Sequence, residues 1–85
     1  MNLHWESQWD GTPGKSTKVH QLIKDGSVVA YISQEPGEDF GSEWAYVNGE
    51  FQPVIASTSI SISDVKKGLE SWAMGRTSLR IRSRG

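Results

Sequence analysis

Eighty-five residues make one domain, 1–85, with room for a single core but not a second. The chain has no cysteine and only two histidines, His4 and His20, so thiolate chemistry is excluded and a zinc site would have to recruit carboxylates; no metal and no cofactor is expected. There is no run of about 18 apolar residues and no signal-peptide pattern, which predicts a cytoplasmic protein with no membrane association.

The net charge of −1 is unevenly spread: residues 1–55 hold three basic residues against eight acidic ones, −5 in all, and residues 56–85 hold six basic against two acidic, +4. Either the two parts neutralise each other or are simply solvated within one small fold, or the surface has an acidic and a basic pole able to steer a charged partner.

Leu3, Trp5 and Trp9 alternate with His4, Glu6 and Gln8, the period of a strand with one wet side. Residues 10–16 (DGTPGKS) form a loop by composition. Its Gly14-Lys15-Ser16-Thr17 matches the end of a phosphate-binding loop, but the first glycine of that motif would fall on Trp9. The residues after Lys15 also read as a strand where the motif needs a helix N-terminus, so nucleotide hydrolysis is not expected.

Residues 17–33 read as a hairpin around Asp25-Gly26, a pair suited to the positive backbone angles of a two-residue turn. An uninterrupted register sets Ile23 opposite Val28, Gln21 opposite Ala30 and Val19 opposite Ile32, a set expected to face the helix. Leu22 then faces Val29, and His20 faces Tyr31, as an ordinary strand pair on the other side. Residues 34–42 (QEPGEDFGS) form a second loop, whose acids lack the spacing of a calcium loop. It is either a solvated connection or a recognition loop in which Phe40 anchors while Glu38 and Asp39 meet a basic partner.

A second hairpin over residues 43–54 turns at Asn48-Gly49, pairing Tyr46 with Phe51 and Trp44 with Pro53 on one side, and Ala45 with Gln52 on the other. Pro53 cannot donate to a ladder, which places the second arm at an edge or ends it there. The aromatic side is either core or an exposed cluster of the residue types enriched at binding hot spots.

Ile62, Val65, Leu69, Trp72 and Ala73 recur on one helical stripe. Ser61 followed by Asp64 marks the helix start, and Gly75 its end. Gly68 beside the stripe costs roughly 1 kcal/mol relative to alanine, which implies that another element, a neighbouring strand or a partner, packs closely there. Residues 76–85 (RTSLRIRSRG) alternate Leu79 and Ile81 with Arg80, Arg82 and Arg84, forming either a closing strand or a basic tail for phosphates.

Trp44, Tyr46, Asn48 and Gly49 in the second hairpin, followed by Thr58, Val65, Lys66 and Glu70 around the helix, make a pattern over residues 26–73. It resembles small sheet-plus-helix proteins encoded by phages and prophages. The resemblance implies a host-cytoplasmic location and, as with some such proteins, an inhibitor-like action through binding host machinery; it transfers no functional residue.

The expected fold is α+β: an antiparallel sheet of four to six strands with one C-terminal helix packed on a face. The expected function is a non-enzymatic interaction protein that binds and modulates a host or viral protein through Glu38, Asp39, Phe40, Trp44 and Tyr46. The alternative is a nucleic-acid-binding accessory protein using Lys66, Lys67, Arg76, Arg80, Arg82 and Arg84. Exposed strand edges also leave open the pairing of two copies. No group of residues has the spacing or surroundings that a catalytic site requires.

Overall fold

The computed structural model describes residues 2–11 and 16–82. Gly14 and Lys15 of the phosphate-loop fragment, and Arg84, lie outside the described residues. Among the described residues, β1 (Leu3–Asp10), β2 (Thr17–Lys24), β3 (Ser27–Gln34), β4 (Gly41–Val47), β5 (Glu50–Ile55), α1 (Ile62–Ala73) and β6 (Arg80–Ile81) follow in chain order. The six strands form one antiparallel sheet in the order β1-β2-β3-β4-β5-β6, and α1 lies across one face. Thr17 opens a strand, where a phosphate-binding loop would open a helix.

Both two-residue turns form where a residue pair tolerates left-handed backbone. Asp25 and Gly26 have φ of 51° and 86°, and Asn48 and Gly49 have φ of 55° and 85°. The β4–β5 register is the expected one, with Tyr46 opposite Phe51 and Trp44 opposite Pro53.

The β2–β3 register departs from expectation. Ile23 pairs with Val28 as read from the turn, but Leu22 pairs with Ala30, so Val29 is an extra residue on β3. Beyond this bulge every partner moves by one: His20 lies opposite Ile32, not Tyr31, and Gln21 lies opposite Tyr31. Because side chains alternate, the bulge lets His20, Leu22, Ala30 and Ile32 share the helix side, while Val19, Gln21 and Tyr31 turn away from it.

The core joins Leu22, Ala30, Ile32, Ala45 and Val54 of the sheet to Ile62, Val65, Leu69 and Ala73 of the helix, with Leu3, Trp5 and Trp72 packed around it. The expected stripe is thus the buried stripe. Ser61 caps the helix, its Oγ accepting from the Asp64 N–H at 3.3 Å and donating to the Asp64 carboxylate at 2.9 Å. Gly75, at φ 76°, closes it: its N–H donates to the Trp72 carbonyl and that of Arg76 to the Ser71 carbonyl, both at 2.9 Å. Lys24 reaches from β2 to the Ala73 carbonyl at 2.9 Å, a cation at the negative helix end. The close approach foretold by Gly68 is to the chain just beyond β5, since a Cβ added there would collide with the Ala56 carbonyl.

The C-terminal segment supplies a short closing strand, with Arg80 opposite Ile55 and Ile81 opposite Val54. Pro53 therefore neither places the second arm at an edge nor ends it, since β5 runs on to Ile55 and pairs with β6. The Pro53 carbonyl accepts from the Arg82 N–H at 2.9 Å, so its missing N–H faces β6 and leaves the β4–β5 ladder intact.

Candidate interaction face

The sheet face opposite α1 has no layer of secondary structure over it among the described residues. Its centre is aromatic. Tyr31 and Trp44 stack with centroids 5.9 Å apart; Phe51 meets Tyr31 edge-on at 5.3 Å and Tyr46 at 5.2 Å. Strand pairing positions all four, since Tyr31 lies opposite Trp44, and Tyr46 opposite Phe51. Tyr46 keeps 48% of its surface exposed and Phe51 39%. The aromatic side of the second hairpin is therefore the exposed cluster and not the core, which is built from the opposite side of the same strands. Burial raises the Tyr31 phenol above its ordinary 10.0, so it stays a neutral donor at physiological pH.

Charge on this face is confined to its edges. The inner strands β2, β3 and β4 place only uncharged side chains on it. On β1, His4 and Glu6 pair at 2.9 Å, and at the far edge Arg80 projects on the side of Ile55. Residues that lie side by side give one row across the sheet: Glu6, Gln21, Tyr31, Trp44 and Pro53, with Arg82 joined to Pro53 through the backbone. The row runs from acid through amide and aromatics to base.

The protein-binding candidates fall into two places. Trp44 and Tyr46 belong to the open face. Glu38, Asp39 and Phe40 are exposed in the β3–β4 loop, which is tied to the start of the helix: the Ile62 N–H donates to the Asp39 carbonyl at 3.2 Å, and Phe40 forms a bridge with Ser61. The basic candidates do not form one patch. Lys66 and Lys67 lie on α1, with the Lys66 ammonium 5.3 Å over the Trp5 ring, while Arg76 follows the helix and Arg80 and Arg82 sit at the β6 edge.

The sequence reading missed Tyr31 and Phe51 as site residues. Phe51 was already visible as the partner of Tyr46. Tyr31 was already expected on the side away from the helix, but no local cue joined it to the second hairpin: the β3–β4 pairing that sets it opposite Trp44 spans the 34–42 loop.

Under the helix lies a polar cluster around His20, which is only 4% exposed. The Gln34 amide NH₂ donates to the Glu38 carbonyl at 2.6 Å, leaving its oxygen to accept from His20 Nε2 at 2.7 Å; His20 Nδ1 then accepts from the Ser7 hydroxyl at 2.8 Å. Burial, the largest cause, holds the imidazole pKa below the ordinary 6.5; the Gln34 bond opposes it and the Lys66 and Lys18 charges add to it. With an amide where a carboxylate would stabilise imidazolium, the chain fastens β1, β2 and the β3–β4 loop together. Glu43 is also helix-side: burial raises its carboxyl above 4.5, against the Ala56 N–H bond at 2.9 Å and the Arg82 charge. Among the described residues no group of three His, Asp or Glu side chains could hold a metal, and no helix is long and apolar enough to cross a membrane.

Comparison with known proteins finds no matching family model, no matching curated relative and no matching solved structure.

Proposed function

We propose that this chain is a non-enzymatic, phage-like interaction protein that acts by binding a host or viral protein through its open sheet face. The observation that carries the reading is the contiguous aromatic network of Tyr31, Trp44, Phe51 and Tyr46 on an uncovered face whose inner strands bear no charge. Aromatic enrichment with charge depletion at the centre and charges at the rim is the composition of protein–protein interfaces.

The test is recovery of a partner from bacterial lysate with the tagged chain, with and without nuclease, beside the variants Tyr46→Lys and Phe51→Lys. A discrete protein that resists nuclease and is lost with both variants, while their far-UV spectra match the parent, is the expected result. Retention by both variants overturns the assignment of the face.

A second reading has one observation behind it: Arg80 shares the side of Ile55 and Phe51, so a base lies on the same sheet face as aromatic rings on which nucleobases could stack. It requires recovery that nuclease abolishes and that falls steeply with salt.

A further inference from the structure

We propose that the partner of the open face is a second copy of this chain, packed sheet on sheet about a two-fold axis running along the strands between β3 and β4. This rests on the reading of the face as a protein-docking surface, for which a second copy and a host or viral protein would compete.

The strand order is what makes the face self-complementary. Because the sheet runs β1 to β6 without a crossover, such an axis sets β1 of one copy over β6 of the other, β2 over β5 and β3 over β4, and keeps each residue at its own height along the strands. The row from Glu6 to Arg82 then meets itself reversed. Glu6 lies over Arg82 of the second copy, Gln21 over Pro53, and Tyr31 over Trp44, so acid meets base at both ends and aromatics meet aromatics at the centre.

Charge also excludes the other face-to-face arrangement. A two-fold axis across the strands would set β1 over β1 and β6 over β6, so the acidic edge would lie over itself and the basic edge over itself. Like charges across an interface cost several kcal/mol. Only the axis along the strands turns the edge charges into attraction.

Four strand spacings of ~4.8 Å from β1 to β5, by strands of ~22 Å, give a flat area of about 400 Å², to which the two-residue β6 adds little; with the relief of its side chains the face is the size of a small interface. Twisted sheets with apolar inner faces pack aligned, ~10 Å apart.

Sedimentation equilibrium of the full chain, from low micromolar concentration to the solubility limit, tests this. The parent is expected to form dimers. Tyr46→Lys, at an exposed site, should be monomeric with an unchanged far-UV spectrum. Glu6→Arg should weaken dimerisation roughly 10-fold or more through two new like-charge contacts, and adding Arg82→Glu should restore it. A parent that stays monomeric throughout, a dimer indifferent to Tyr46→Lys, or a double reversal no better than Glu6→Arg alone would each overturn the proposal. The two readings fail separately: a monomeric parent whose lysate partner is still lost with Tyr46→Lys rejects self-pairing and leaves the docking face standing.

Discussion

The Tyr31 and Trp44 rings are held within 10° of parallel by directly opposed positions on β3 and β4, on the face that the helix leaves bare. Such a cross-strand pair contributes about 0.5–1.5 kcal/mol beyond its burial. A double-mutant cycle of Tyr31→Leu and Trp44→Leu, read by urea unfolding, should therefore show a coupling in that range. Strict additivity would mean that the stack adds nothing to the fold.

Gly68 separates local propensity from packing. Helix propensity alone makes Gly68→Ala stabilising by about 1 kcal/mol. The added methyl would meet the Ala56 carbonyl, a backbone group that cannot move aside cheaply. Packing should win: Gly68→Ala is expected to lower stability by about 1–3 kcal/mol, measured as a lower urea midpoint.

His20 makes stability pH-dependent. Its folded pKa lies below the ordinary 6.5, so at this site the unfolded chain binds more protons and stability rises with pH. The contribution is complete above 6.5 and is lost as pH falls through the lower folded value. Glu43 acts in the opposite sense: its raised pKa contributes stability that is present below 4.5 and lost as pH rises through the folded value. The urea midpoint should fall between about pH 7.5 and about pH 5.5, and His20→Gln should flatten that fall. An unchanged slope in the variant would place the dependence elsewhere.

Trp5 fastens the edge strand to the helix, its indole N–H donating to the Glu70 carboxylate at 2.6 Å beneath the Lys66 ammonium. Trp5→Phe keeps a ring in place and deletes the donor. A loss of about 1–3 kcal/mol is expected, and a much smaller one when Glu70 is already leucine, which offers the indole no acceptor.

The α+β class, both tight turns, the helix with its two caps and the pairing of Tyr46 with Phe51 could be read from the chain, because each depends on neighbours in sequence. What could not be read depends on contacts made across the fold. The Val29 bulge forms because Leu22 and His20 must share the helix side with Ala30 and Ile32, a demand set by the core and not by residues 28–29. Missing it assigned Val19, Gln21 and Ile23 to the helix side and His20 and Leu22 to the other, the reverse of what the structure has. The apolar content of β4 and β5 was likewise ambiguous: Trp44, Tyr46 and Phe51 are bulkier than Ala45 and Val54, yet the small residues lie under the helix. A helix whose Gly68 approaches backbone so closely leaves little depth for aromatic rings beneath it.

The uninterrupted order of the strands has a bearing on synthesis. Each strand can pair with the one that left the ribosome just before it, so the sheet can grow hairpin by hairpin with little loop-closure entropy. Yet five strands must emerge before α1 does, and until then Leu22, Ile32 and Val54 have nothing to lie against. A nascent chain halted ahead of Ile62 would carry two uncovered faces, one for its own helix and one rich in aromatics. It should be kept in solution by chaperones, and the arrival of a single 12-residue helix is the event that makes the product self-sufficient.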